Sequence, residues 1–189
     1  MTTPPTLTSQ RVTLQPLTAS DMPYFVKWYS DPEMLRLSGE VEPWTEDKFA
    51  QWYQNLCTDA NKVWFTIVVN ETQRVIGNAG LLRMFTPWKT TDMSVEIGEK
   101  ALWGHGYGTE AGRRLLQYVF DELKFHRVAI YVMRFNTRAL RFWTELGFQH
   151  EGIARQSYYY NSQYSDFIMM SILEDEYRQK YGSLFNTVL

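Results

Sequence analysis

Residues 103–111 read WGHGYGTEA, with Gly104, Gly106 and Gly108 at alternate positions ahead of a run of good helix formers. Each glycine costs backbone entropy, so this density answers a need that a plain connection does not have. A glycine loop entering a helix presents backbone N–H groups beside the positive end of the helix dipole, a setting suited to an anion and above all to phosphate. Just upstream, Asp92, Ser94 and Glu96 alternate along TDMSVEI and share one strand face, while Met93, Val95 and Ile97 take the other. Carboxylates on a strand beside such a loop are candidates for general-base work, directly or through water, with Glu96 first and Asp92 second. The competing readings are a tight turn without ligand and a merely solvated strand face.

Two familiar phosphate loops do not fit. GxxxxGK[ST] is absent. Gly106-Tyr-Gly108-Thr-Glu-Ala111 matches the GxGxxA form of a dinucleotide fold. That fold also needs an acidic residue ending the next strand, roughly 20 residues on, to hold a ribose. The strand instead closes YVMRFN, with Arg134 and no acid, and at least three strands precede the loop.

Composition bounds the rest. The 189 residues are 44% hydrophobic and 21% charged, as in a globular protein, and the net charge of −2 gives no footprint for nucleic acid or an anionic membrane. Cys57 is the single cysteine, which excludes an internal disulfide and a cysteine-based zinc site, and His105, His126 and His150 lack metal-ligand spacing. No apolar run approaches the ~20 residues of a membrane span, and MTTPPTLTSQ has no signal-peptide apolar region, so a cytoplasmic location is expected.

The elements that must position these groups alternate. Strands are expected at 11–17, 63–69, 74–84, 91–97 and 128–133, with the second and third joined as a hairpin through NETQ. A helix starts at Asp21 and ends near SDPE. A second follows the loop EVEPWTEDKF with Thr45 as N-cap, and a third runs from about Thr109 to Leu123. NTRALRFWTELGF forms a fourth, capped by Asn136 and closed by Gly147, and two strands finish the domain. Strand, glycine loop, helix, strand is a crossover unit, so 91–97 and 128–133 should be parallel neighbours. Residues 1–9 are expected as a flexible tail and 10–189 as a single domain.

Over roughly residues 10–172, this order and two motifs resemble the GNAT superfamily of acyl-CoA-dependent N-acyltransferases, best the branch of RimJ, RimL and spermidine acetyltransferase. WGHGYG supplies Gly106 and Gly108 at the glycine positions of the family's Gln/Arg-x-x-Gly-x-Gly/Ala loop, with Trp103 in the leading place. NTRALRFWTELGF supplies Asn136, Ala139, Gly147 and Phe148 of a second motif, with Trp143 where many members carry Tyr. The ending QHEGIARQSYYYNSQYSDFIMMSIL is similar to the branch's last two strands.

The resemblance implies an α/β (α+β) fold, with a mixed, mostly antiparallel sheet of about six to seven strands, a splayed parallel pair and about four helices. It implies acetyl-CoA as co-substrate and no metal. Backbone from His105 through Gly106, Tyr107 and Gly108 to Thr109 would wrap the diphosphate, with Trp103 and Gly104 leading in. Ile97 and Gly98 would pair with the pantetheine arm, and Asn136 and Trp143 would contact the cofactor.

The implied reaction is attack of a neutral amine on the thioester. An alkyl amine of pKa ~10.4 is unprotonated only about once in a thousand near neutrality, which is why a base is needed. The oxyanion would meet backbone N–H near Glu96 or Ile97. Trp143 and Ala139 cannot protonate a departing sulfur. A thiol of pKa ~8.5 can leave as the thiolate, and Tyr131 and Tyr158–Tyr160 are the alternative donors.

The segment 31–47, one wall of the acceptor cleft in this family, carries Asp31, Glu33, Glu40, Glu42, Glu46 and Asp47 against Arg36. That charge suits a cationic amine: a protein N-terminus, a polyamine or an aminoglycoside. Trp44 and Trp88 offer aromatic walls or simple packing. The partners expected are an amine acceptor, no nucleic acid and no membrane, and the chain is compatible with a homodimer. The alternative from a different class is an acyl-CoA-binding module that has lost turnover.

Overall fold

A computed structural model describes residues 4–185. The strands are β1 (Leu7–Thr8), β2 (Val12–Pro16), β3 (Val63–Val69), β4 (Val75–Phe85), β5 (Thr90–Ile97), β6 (Arg127–Met133), β7 (Gln149–Tyr160) and β8 (Gln163–Leu173). The α-helices are α1 (Met22–Trp28), α2 (Pro32–Ser38), α3 (Glu46–Thr58), α4 (Tyr107–Gln117), α5 (Thr137–Leu146) and α6 (Glu174–Phe185). The strands form an 8-stranded sheet of order β1-β2-β3-β4-β5-β6-β8-β7. β5 and β6 run parallel, with Thr90↔Arg127, Thr91↔Val128 and Asp92↔Ala129 in register, as the crossover argument requires. β1–β2, β2–β3, β3–β4, β6–β8 and β7–β8 are antiparallel.

The fold is the mixed, mostly antiparallel α/β architecture expected, with eight strands where six to seven were expected and two more helices than the sequence suggested. α2 lies where the sequence reads as a helix stop. α1 ends at Trp28, just ahead of Ser-Asp-Pro, but Asp31 then accepts from the N–H groups of Glu33 (2.9 Å) and Met34 (3.1 Å), and Pro32 opens a new helix that Gly39 closes at φ 83. α6 starts on Glu174, Asp175 and Glu176, acids that complement the helix N-terminus, and buries Tyr177 and Tyr181 one turn apart. The helix expected over 109–123 begins at Tyr107 and passes at Tyr118–Glu122 into a π-turn, where Leu123 N–H reaches Tyr118 C=O at 2.9 Å. Within the nine-residue tail expected at the start, Leu7 is buried and Leu7–Thr8 form β1, while residues 1–3 lie outside the described residues.

The chain divides into two compact units, Met1–Leu82 with Met93–Leu115 and Arg83–Asp92 with Leu116–Leu189. In the first, Phe25, Trp28, Tyr29, Leu35, Trp44 and Phe49 form an aromatic core, against which Trp52, Tyr53 and Trp64 pack. Thr45 starts α3 as read from the sequence, its hydroxyl accepting from Lys48 N–H at 3.1 Å. In the second unit Phe120 stacks on Tyr177 at 4.7 Å, and Ile130, Met170 and Ile172 are buried. Asn136 caps α5 by accepting from Ala139 N–H at 3.1 Å, and Gly147 ends it at φ 103.

Candidate active site

The glycine loop leads straight into α4. Gly104 and Gly106 have φ +79 and +83, a left-handed backbone that disfavours a side chain. A Cβ on Gly106 would also lie 3.0 Å from an Arg11 guanidinium nitrogen, whereas one on Gly104 would meet nothing within 4 Å. So two of the three glycines are explained by local backbone, and at 106 also by a neighbouring side chain. The first bond of α4 runs from Glu110 N–H to Gly106 C=O at 3.1 Å. The N–H groups of Tyr107, Gly108 and Thr109 therefore fall in the first turn, where a helix offers no internal acceptor. An anion would fit there.

Arg11, which sequence reasoning passed over, holds this loop. Its Nε meets Glu110 Oε2 at 2.8 Å, its Nη1 donates to His105 C=O at 3.1 Å, and its guanidinium lies 4.9 Å from the Tyr107 ring centre. Glu110 also accepts from Ser9 Oγ (2.8 Å) and from Arg11 N–H (2.5 Å). These bonds outweigh burial, the largest influence on Glu110 and an upward one, so its carboxyl sits below the usual range. His105 is exposed, with Nδ1 3.1 Å from Trp103 C=O. The Trp103 indole donates to Ile97 C=O at 2.6 Å, and Gly98 N–H goes to Ile76 C=O at 2.9 Å. One polar group each of Ile97 and Gly98 is thus already engaged within the protein.

Along β5, Thr91 and Met93 are buried and Asp92 and Ser94 half-buried, the alternation read from the sequence, but from Val95 to Ile97 all three residues are half-buried and the contrast ends. Burial pushes the Glu96 carboxyl up. Its hydrogen bond from Tyr29 lowers it, and the charge of Glu40 raises it again. Tyr29 Oη donates to Glu96 Oε2 at 2.5 Å. A raised carboxyl is a stronger base, in keeping with Glu96 as first choice. Asp92 is also pushed up by burial, but it is ion-paired with Arg83, whose Nε and Nη2 both reach its Oδ2. That pairing makes Asp92 the poorer proton acceptor of the two.

Asn136 and Trp143 belong to the second unit. The Asn136 carbonyl oxygen is spent on the α5 cap. Trp143 is buried, with ring centres 4.7 Å from Phe142 and 5.0 Å from Phe148, which is packing at a helix–strand junction. Of the alternative acids, Tyr158 is buried and Tyr159 is exposed, while Tyr131 is 47% exposed beneath the Arg83 guanidinium at 5.2 Å.

The acidic segment 31–47 is partly neutralised from within. Lys100 Nζ meets Asp31 at 2.6 Å and Glu33 at 2.8 Å, and Lys48 Nζ meets Glu40 at 3.0 Å. Trp44 is core and Trp88 is 75% exposed against Phe85, so the two do not form matching walls. Among the described residues no group of three or more His, Cys, Asp or Glu gathers as a metal set, and no helix is long and apolar enough to cross a membrane.

Residues 11–149 match the model of the Acetyltransferase (GNAT) domain. An uncharacterized N-acetyltransferase, p20, of Bacillus licheniformis is 28% identical over 176 residues, 91% of this chain and 98% of that one. The probable N-acetyltransferase YjcK of Bacillus subtilis is 32% identical over 127 residues, 67% of this chain and 70% of that one. A crystal structure of spermidine N-acetyltransferase from Vibrio cholerae, in complex with CoA and spermine, superimposes with a TM-score of 0.82 at 22% identity, covering 89% of this chain and 99% of that one. The match of the family model over most of the chain, on a sheet with the expected parallel pair and glycine loop, places this protein in the GNAT acetyltransferase family.

Proposed function

We propose that the protein moves an acetyl group from acetyl-CoA to a primary amine by direct attack, with Glu96 as general base. One observation carries this reading: in a single compact unit, the α4 first turn offers N–H groups to a diphosphate while β5 holds a carboxyl whose proton affinity burial has raised. Bound there, the donor supplies an acetyl thioester. The chain's own part is to hold the diphosphate on the N–H groups of Tyr107, Gly108 and Thr109, with the Arg11 charge alongside. The neutral amine attacks, and Glu96 takes the proton that its nitrogen loses, directly or through water, as the new N–C bond forms. Backbone N–H near Glu96 or Ile97 meets the negative oxygen, and the C–S bond then breaks with its electron pair on sulfur.

The acceptor is a cationic amine. Support comes from the acidic segment 31–47, even with Lys100 and Lys48 drawn into it, and from the spermine in the similar crystal structure. The donor site is tested by titrating coenzyme A into wild type and Gly108→Val in a calorimeter. A folded Gly108→Val should bind at least tenfold more weakly, and unchanged affinity would remove the diphosphate assignment. Gly106 is a poorer probe, because φ +83 and Arg11 already penalise a side chain there.

A further inference from the structure

Glu96 is reached by a hydrogen-bonded chain whose direction the side-chain chemistry fixes. Trp64 Nε1 lies 3.1 Å from Asn78 Oδ1, Asn78 Nδ2 lies 3.4 Å from Tyr29 Oη, and Tyr29 Oη lies 2.5 Å from Glu96 Oε2. An indole N–H is a donor only, so it turns the carbonyl end of the Asn78 amide toward Trp64 and the NH₂ end toward Tyr29. The Tyr29 oxygen then receives a proton from Asn78, and its own O–H has to point at Glu96. Asn78 and Tyr29 are 1% and 5% exposed, so water does not compete for these bonds. Each donor also polarises the next along the line.

We infer that Tyr29, aligned by Asn78 and Trp64, is a positioning residue of the reaction: its phenol pins Glu96 Oε2 and leaves Oε1 to take the proton of the attacking amine. This rests on the reading of Glu96 as base. The phenol itself stays protonated, because burial and the adjacent carboxylate push it well above its ordinary value. Tyr29 therefore orients and tunes the base and does not pass on its own proton. Acting on Glu96 are Tyr29 at the end of α1, itself bonded by Asn78 on β4, and the charge of Glu40 past α2, itself paired with Lys48 at 3.0 Å. Removing the phenol deletes a bond that favours the carboxylate. The Glu96 proton should then leave at higher pH.

Two readouts on wild type, Tyr29→Phe and Glu96→Gln test this. The first is the pH titration of ¹³C-labelled glutamate carboxyls, with Glu96 identified by its loss in Glu96→Gln. The second is kcat/KM against pH with the best amine among peptides, polyamines and aminoglycosides. In Tyr29→Phe both the Glu96 titration and the acid limb of kcat/KM should move up by about one pH unit. Lower thermal stability with both in the wild-type position would make Tyr29 a packing residue and overturn the inference, leaving Glu96 as base. A moved titration with an unmoved limb would overturn it too. A Glu96→Gln protein with the wild-type profile would overturn the base and the inference together. Should Tyr29→Phe fail to fold, Trp64→Phe keeps an aromatic ring and removes the N–H that sets the chain's direction, together with part of the packing on Trp52. It should move both readouts the same way by less, and no movement would count against the inference.

Discussion

Glu96→Gln should separate activity from stability in opposite directions. The substitution keeps the shape of the side chain and removes its charge. Without a base, turnover of an alkyl amine near neutrality should fall by roughly 10²–10⁴. It should recover in part as pH approaches the amine pKa, where the neutral amine no longer needs one. Stability should move the other way. The folded carboxyl lies above its unfolded value because burial disfavours the charge. The folded state then binds more protons than the unfolded one between those two values, so stability falls as pH rises through that window and the full penalty is present above it. Each unit of upward shift costs ~1.4 kcal/mol there, worth roughly 2–4 °C in Tm for a domain of this size. Glutamine pays no such penalty and still accepts from Tyr29 Oη. Thermal melts at pH 7 and pH 4 beside turnover are the assay. The variant should match or exceed wild type in Tm at pH 7, with the gain shrinking toward pH 4. Near wild-type turnover, or a fall in Tm that parallels the loss of activity, would refute the reasoning.

Three further outcomes follow from the geometry. A Cβ on Gly77 would sit 2.1 Å from the Glu96 carbonyl oxygen, backbone that cannot swing aside, so Gly77→Ala should cost about 1–3 kcal/mol by urea unfolding and lower kcat with it; unchanged values would mean that β4 does not set the position of Glu96. Trp143→Phe should keep most of the turnover at some cost in Tm, whereas a loss beyond ~10²-fold in Tyr131→Phe would identify that exposed phenol as the acid for the leaving sulfur. Lys100→Ala should change stability by less than ~1 kcal/mol, since the ion pairs it makes are surface pairs, and should lower KM for a polyamine a few-fold at low salt by removing the cation beside Asp31 and Glu33; an unchanged KM would separate this acidic segment from the acceptor.

What the sequence revealed was local. The strands at 63–69, 91–97 and 128–133, the Thr45 and Asn136 caps and the Gly147 stop each depend on neighbours within a few residues, and each stands where it was read. α2 was hidden because Asp31-Pro32 signals an end and a beginning with the same two residues. α6 was hidden because its apolar signal is two tyrosines a turn apart among charges. Of the candidate site, the sequence points to the residues where motif and period meet, Gly106, Gly108 and Glu96. Its supports were not legible. Tyr29 stands 67 residues from Glu96, and Arg11 stands 99 from Glu110, so only the folded chain brings them together. Arg11 carried no signal at all beyond its place at the head of β2.

The central claim is transfer to an amine, and amine-dependent release of thiol from acetyl-CoA measures it most directly. Peptides with free N-termini, polyamines and aminoglycosides are each incubated with the protein and acetyl-CoA, and the products are identified by mass. Release should depend on one class of amine, match the acetylated product mole for mole, and vanish in Glu96→Gln at neutral pH. Tight coenzyme A binding without release for any amine would contradict the account and leave an acyl-CoA-binding module in its place.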